Sequence, residues 1–226
     1  KKIHFNLSNF PYFYFRIFTT IFKLGRNGFF SLILKLNILS PKLKLFLKFL
    51  IYILEKKNSN NFEKLLPKTL SKLGPGFIKL GQALSTRPDI FGLKNTNKLI
   101  YLQDSLEPFS TKKAIEIIEE KIGLKLDKIF LNFNQTPIAA ASVAQVYEAT
   151  LLSGEKVAVK ILRPNIEKIL LQDFKFFFWI SKQIEFFKPS FRRFKLPEMV
   201  KVFFQSSINE VDLRLEASSA NELKEN

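Results

Sequence analysis

The chain has 226 residues, 46% of them apolar, which is enough for a hydrophobic core and excludes an intrinsically disordered chain. It contains no cysteine and one histidine, His4, so a disulfide framework and a thiolate metal site are excluded, and a histidine-based zinc site or triad is disfavoured. Its 36 Lys and Arg residues against 20 Asp and Glu give a net charge of +16, which favours anionic partners.

Residues 1–60 form a basic, aromatic-rich segment. Residues 1–54 carry nine Lys or Arg and no Asp or Glu. Lysines interrupt the apolar stretch at 29–54, so the pattern predicts one or two amphipathic helices broken at Ser40-Pro41 rather than a membrane span. Two interpretations stay open: the helices contact an anionic membrane surface, or they pack on the protein with their lysines directed to solvent.

Residues 61–136 are predicted to be a helical extension that follows the polar linker "EKKNSNN". Gly74-Pro75-Gly76 indicates a turn, and Pro75 suits the first position of a helix that ends before Arg87-Pro88. This short helix carries Lys79, Gly81 and Gln82, which is unusual for a buried helix.

A second helix is predicted over 110–123. Ser110 or Thr111 can cap its start, its apolar residues recur at helical spacing, and Gly123 can end it.

From residue 137 the sequence predicts strands, with a hairpin turn at 153–155. "VAVK" at 157–160 matches the kinase strand whose lysine contacts nucleotide phosphates. Aligned with the glycine-rich loop of kinases, the segment 139–146 places alanines at the three glycine positions, Ala139, Ala141 and Ala144, and Val146 at the valine position. Each added Cβ restricts the backbone, so this loop should hold a nucleotide differently. An ordinary hairpin of small residues is the alternative.

Two further helices are predicted. Within 165–187, one apolar stripe is expected to lie in the core, with a lipid-facing role as the less favoured interpretation; it consists of Phe176, Phe177, Ile180, Ile184 and Phe187. The last helix, about 197–224, supplies possible carboxylate partners for Lys160.

Candidate carboxylates are Glu167, Glu185, Glu198, Glu210, Asp212 and Glu216. On one continuous helix Asp212 and Glu216 share a face, and Glu210 with Arg214 could form a surface salt bridge.

Four segments together give the sequence a family resemblance, in the order "KLGPGFIKLGQALSTRPDI", "PIAAASVAQVYEA", "VAVKILRP" and "NEVDLRLEASSANEL". They resemble the KxGQ region, the alanine-rich loop, the lysine strand and the E-x-D helix of the UbiB (ABC1, ADCK) family of atypical kinases of ubiquinone biosynthesis. The resemblance runs from about residue 66 to residue 224, whereas residues 1–60 resemble the family only in their general character and not in a motif.

The resemblance implies roles for particular residues. Lys160 would contact the nucleotide phosphates, with Glu216 as its ion-pair partner. The other ATP-binding positions would be Ala139, Ala140, Ala141, Ser142, Val146 and Ala158. Lys79, Gly81 and Gln82 would lie over the substrate cleft, with Glu210 and Asp212 facing the lysine. Burial of Lys79 would require such partners, and Gly81 would be tolerated if another backbone or the nucleotide must come close.

The fold class that the resemblance implies is α+β: a helical extension on residues 61–136, then a kinase-like small lobe on residues 137–226. The carboxy-terminal lobe, with the ligands for Mg²⁺, would lie outside this sequence, so we expect no catalysis from these residues alone. The intact protein would be an ATP- and Mg²⁺-dependent kinase or ATPase at the cytoplasmic face of a bacterial inner membrane.

The implied partners are ATP or ADP, anionic lipids, a ubiquinone-pathway lipid and other proteins of that pathway. A non-catalytic lipid-binding scaffold is the alternative. A nucleic-acid binder is disfavoured because no reading module is apparent.

Overall fold

The computed structural model describes residues 10–35, 41–55, 62–91, 96–97, 99–102 and 107–225. The helices of this part are α1 (Phe10–Arg26), α2 (Phe29–Lys35), α3 (Pro41–Leu54), α4 (Phe62–Leu73), α5 (Pro75–Ser85), α6 (Pro88–Phe91), α7 (Thr111–Ile122), α8 (Ile166–Phe187), α9 (Leu196–Asn209) and α10 (Leu213–Glu225). The strands are β1 (Phe130–Phe133), β2 (Ala139–Ala140), β3 (Ala144–Leu151) and β4 (Lys156–Leu162). The predicted α+β class, helices followed by a small antiparallel sheet, is confirmed.

The basic segment forms α1, α2 and α3. Pro41 begins α3, whereas Ser40 of the predicted break and residues 56–61 of the linker lie outside the described residues. Among the described helices, none combines the length and the hydropathy that a membrane span requires.

The first core joins the amino-terminal helices to α8. Ile17 of α1 and Leu70 of α4 are buried in the same cluster as Phe77 of α5 and Phe176 of α8. The ring of Phe77 lies 5.7 Å from that of Phe176 and 4.8 Å from that of Phe177. The predicted extension and α8 therefore share one hydrophobic core.

The sheet is built around β3. β1 and β2 pair with opposite ends of β3 along one edge, and β4 pairs along the other edge. The strands begin at Phe130, earlier than predicted, because "FLNF" is too short to stand out in the sequence. Gly154 adopts φ 89° in the β3–β4 turn, a left-handed conformation that glycine accepts without strain.

The two faces of the sheet differ in burial, as the alternation of a strand requires. Tyr147, Ala149 and Ile161 are buried in a cluster with Ala114 and Ile118 of α7. The opposite face carries Val146, Ala158 and Lys160, which are partly or fully exposed. One face is thus packed on α7, and the other, called the open face, is accessible around Lys160 while its end at Ala144 is buried against α8.

Helix α7 confirms the predicted caps. Ser110 occupies the N-cap and its hydroxyl accepts a hydrogen bond from the N–H of Lys113 at 3.4 Å, while Gly123 ends the helix at φ 77°.

The predicted core stripe of α8 is wrong in its second half. Phe176 is buried, but Ile184 and Phe187 are 39% and 75% exposed. The first core covers only the middle of α8, so its last turns extend past the packed helices.

The predicted single helix at 197–224 is also wrong. α9 ends at Asn209 and α10 begins at Leu213. Val211 between them is buried in a cluster with Phe174 and Phe204. Burial of this side chain turns the chain where local sequence gives no break signal.

Candidate functional site

Lys160 lies on the open face of the sheet, in a row with two of the predicted loop residues. Val146 pairs with Lys160 across the β3–β4 ladder, and Ala139 pairs with Val146 across the β2–β3 ladder. Directly paired residues of antiparallel strands project to the same face, so the three side chains form one row. Ala158, two residues before Lys160, projects to that face too.

Glu216 reaches this row from α10. The Lys160 ammonium donates to both carboxylate oxygens of Glu216, at 2.7 and 2.6 Å. The side chains are 34% and 56% exposed, and an ion pair so open to solvent contributes only about 0–1 kcal/mol to stability. The contact therefore orients an accessible ammonium group rather than holding the fold together.

The alanine loop is a tight turn at the edge of the same sheet. The N–H of Ala141 donates to the carbonyl of Ala144 at 2.8 Å. Ala139 and Ala141 are exposed and Ala140 is half-buried, so their methyl groups form an accessible surface next to the row. Ser142 is only 5% exposed and lines a cavity of about 520 Å³ between this loop and α4–α5.

Arg163, which the sequence analysis did not single out, holds this loop. Its Nε donates to the carbonyl of Ala141 at 3.0 Å, and its Nη2 donates to the carbonyl of Glu107 at 3.1 Å. Burial lowers the pKa of Arg163. The only sequence signal was its position directly after the lysine strand.

Lys79 of α5 meets one of its two predicted partners. Its side chain is 3% exposed and forms an ion pair with Glu210, which is 56% exposed. Glu210 directly follows α9 as its C-cap, and the break there lets the carboxylate reach α5. The buried ammonium group is thus compensated from the segment that also carries Glu216.

Asp212 does not fill the position predicted for it opposite Lys79. Its carboxylate accepts hydrogen bonds from the Arg214 guanidinium at 2.8 and 2.6 Å and from the Arg214 N–H at 3.2 Å. These bonds lower the pKa of Asp212, the side-chain bond from Arg214 being the largest cause. Because the chain breaks before α10, Asp212 lies at the start of that helix, and Arg214 pairs with it rather than with Glu210.

Gly81 and Gln82 hold the turn at Ile100–Leu102 against α5. A Cβ at Gly81 would overlap Leu102 Cδ1 and lie 2.9 Å from Leu70 Cδ1. Gln82 Nε2 donates to the carbonyl of Leu102 at 2.9 Å. The close approach predicted at Gly81 is therefore made by leucine side chains, and not by another backbone.

Asp173 is a second functional candidate that the sequence analysis missed, since it was not among the candidate carboxylates. It is fully buried on α8, pairs with Arg16 of α1, and accepts a 3.0 Å hydrogen bond from the N–H of Gly76. Burial raises the pKa of Asp173, and Arg16 and the Gly76 N–H oppose that shift. A lone aspartate within the apolar run "LLQDFKFFFW" was the available signal.

Comparison with known proteins places this chain in a family. The ABC1 atypical kinase-like domain matches residues 101–226. The chain is 41% identical over 157 residues to "Probable protein kinase UbiB" of Pseudomonas aeruginosa PAO1, covering 70% of this chain and 30% of that protein. The same name and identity apply to a Pseudomonas putida F1 relative, with 29% of that protein covered.

A solved structure is also similar in sequence. It is the complex of Rv3197 with erythromycin from Mycobacterium tuberculosis, which is 30% identical in sequence. The match covers 59% of this chain and 32% of the Rv3197 chain, with a TM-score of 0.29. The chain spans about 30% of the length of the UbiB relatives. With the domain match extending over more than half of its residues, the chain belongs to the ABC1 atypical kinase-like family.

Proposed function

We propose that the intact protein binds ATP on the open face of the sheet and is an ATP-dependent atypical kinase or ATPase. The observation that carries this proposal is the row of Ala139, Val146 and Lys160, with the Lys160 ammonium oriented by Glu216. A cation on an open, small-residue face is suited to polyphosphate. The names of the UbiB relatives, which call them probable protein kinases, support the same class of activity.

The residues that the resemblance assigns to ATP binding have the following parts in this proposal. Lys160 would hold the α- and β-phosphates, and Ala139, Ala140, Ala141 and Ser142 would cover the nucleotide. Val146 and Ala158 would supply apolar contact from the sheet. Mg²⁺ would accompany ATP and add charge to balance the phosphates, with its ligands supplied by a carboxy-terminal lobe of the intact protein.

The test is ATP binding and hydrolysis by the intact protein carrying Lys160→Ala. The matched control is Lys156→Ala, because Lys156 lies on the same strand and face and is 80% exposed. We expect the first variant to lose ATP binding and hydrolysis and the second to keep both. Equal ATP affinity of the two variants would contradict the proposed site.

We further propose that the substrate is a lipid intermediate rather than an ordinary protein. α5 approaches the segment that carries Glu216, since its Lys79 pairs with Glu210. A helix held there would restrict access of a polypeptide to the nucleotide. ATP hydrolysis coupled to handling of a ubiquinone-pathway lipid, with other proteins of that pathway as partners, fits a site from which α5 would exclude a polypeptide.

Contact with an anionic membrane is supported by the surface of the basic segment. Among the side chains that the structure describes, four aromatic ones of α1 are exposed, and five apolar ones of α3 are exposed beside Lys48; they are Tyr14, Phe15, Phe18, Phe22, Leu45, Phe46, Phe49, Tyr52 and Ile53. Cationic helices with exposed aromatic residues bind anionic interfaces. We propose the cytoplasmic face of a bacterial inner membrane as the location.

The same surface favours the second candidate function, a non-catalytic lipid-binding scaffold. Vesicle co-sedimentation of Phe46→Ser/Phe49→Ser against the control Leu131→Ser/Leu152→Ser tests the surface. We expect only the α3 variant to lose binding to anionic vesicles, and neither variant to bind oligonucleotides at physiological salt. ATP hydrolysis that depends on Lys160 would exclude a purely scaffolding role.

A further inference from the structure

We propose that Asp173 and Arg16 are positioning residues that fix α5, and thereby Lys79, opposite Glu210. Asp173 Oδ2 accepts a 3.0 Å hydrogen bond from the N–H of Gly76 in the first turn of α5. The first N–H groups of a helix lack partners within it, and a carboxylate at that end satisfies one of them and interacts favourably with the helix dipole. Asp173 thus caps α5 from a helix nearly a hundred residues away in sequence.

Arg16, the partner of Asp173 in the ion pair, also provides a hydrogen-bond donor for the end of the preceding helix, α4. Its Nη2 donates to the carbonyl of Leu73, the last residue of α4, at 2.7 Å, and also to Asp173. Carbonyl groups in the last turn of a helix lack partners, and a cation is favourable there. One ion pair therefore holds both the end of α4 and the start of α5, on the two sides of Gly74.

The glycines at this junction leave room for the ion pair. Gly74 adopts φ 133°, and a Cβ on it would lie 3.0 Å from Asp173 Oδ2. A Cβ on Gly76 would lie 2.5 Å from Asp173 Cβ, closer than real Cβ contacts allow. The Gly-Pro-Gly sequence therefore does more than make a turn, because it lets α8 bring a carboxylate directly against the backbone.

The position of Lys79 follows from this junction. Lys79 lies one helical turn after Gly76, and α5 is a short helix of 11 residues. A shift at its start would move the buried ammonium group relative to Glu210 with little opportunity for the helix to bend. The functional consequence rests on the proposed nucleotide site, while the positioning role itself does not.

Hydrogen exchange of the intact protein tests the positioning role without ATP. Asp173→Asn keeps the shape but removes the charge, and the exposed control is Asp127→Asn. In Asp173→Asn we expect the amide hydrogens of residues 76–79 to exchange roughly five- to tenfold faster, because the helix loses its cap. The control variant should show no such acceleration. Arg16→Gln should act in the same direction, Arg16→Lys should restore protection in part, and the control Arg26→Gln on the same helix should have no effect.

A double-mutant cycle then tests the route through Lys79. Lys79→Met and Asp173→Asn should change the rate of ATP hydrolysis in the same direction. The double variant should show the rate of Lys79→Met alone, with no further change. Additive effects would overturn the coupling, and unchanged exchange in both Asp173→Asn and Arg16→Gln would overturn the positioning role. If Asp173→Asn does not fold, the comparison of Arg16→Gln with Arg16→Lys tests the positioning role instead. A wild-type protein that neither binds nor hydrolyses ATP would refute the proposed function alone.

Discussion

Lys160 and Glu216 are 56 residues apart in sequence, yet the Lys160 ammonium contacts both carboxylate oxygens of Glu216. The contact joins the sheet to α10 at the edge of the open face. Since both side chains keep solvent access, the proposed nucleotide would reach the pair without prior unpacking of a core.

Glu216→Gln should therefore weaken ATP binding without weakening the fold. The amide cannot balance the Lys160 charge, so the ammonium loses its fixed orientation, while stability falls by no more than about 1 kcal/mol. Calorimetric titration with ATP and urea unfolding of the intact protein measure the two effects. Loss of stability in proportion to loss of binding would mean that the pair is structural.

Lys79→Met should be less destabilising than Glu210→Ala. Methionine replaces the buried ammonium with an apolar group of similar length, whereas Glu210→Ala leaves a charge that is 3% exposed without its partner. Because Glu210 is half exposed, we expect its loss to cost about 1–2 kcal/mol, below the value for a fully buried pair. Chemical denaturation gives the ranking, with Glu198→Ala, from an exposed pair with Lys201, as the control.

Gly81→Ala should destabilise the protein, although alanine is the better helix former by about 1 kcal/mol. The added methyl group overlaps Leu102 and crowds Leu70, and overpacking of this kind costs about 1–3 kcal/mol. Thermal unfolding measures the difference. In a Leu102→Ala background the penalty should become smaller, because only the contact with Leu70 remains, and an unchanged penalty there would contradict the steric explanation.

Glu119 should make stability pH-dependent on the acid side. Its carboxylate accepts hydrogen bonds from Lys125 and from the N–H of Leu126, and these lower its pKa in the folded state, Lys125 being the largest cause. A lowered pKa contributes stability above the unfolded-state value, and this contribution is lost as the pH falls through the folded-state value.

Glu119→Gln should therefore reduce stability more at pH 7 than at pH 3. Denaturation of both proteins at the two pH values checks this, with Glu120→Gln on the same helix as the control. An equal loss of stability at both pH values would mean that ionisation of Glu119 does not contribute to stability.

Features set by neighbouring residues were predictable from the sequence, and features set by packing were not. Ser110 and Gly123 delimit α7 through contacts within a few residues, so the prediction was correct. The break between α9 and α10 depends on burial of Val211, which the hydrophobic pattern does not distinguish from a residue inside a longer helix.

In the candidate site too, local relationships could be predicted and long-range contacts could not. The spacing between the alanine loop and Lys160 follows from the hairpin, so their proximity could be predicted. Asp173 and Arg16 lie far apart in sequence, and neither has a local pattern that identifies its partner. The family resemblance implied that Asp212 faces Lys79, whereas Asp212 pairs with Arg214 at the start of α10.

The pairing of Val146 with Lys160 imposes a constraint on the length of the connection at residues 152–155. Side chains alternate between the faces of a strand, so a slip of β4 by one position would exchange Lys160 with an aliphatic neighbour. The ammonium would then point into the layer beneath α7, and a valine or isoleucine would occupy its place. Insertions and deletions in this hairpin should consequently be tolerated as poorly as replacement of the lysine itself.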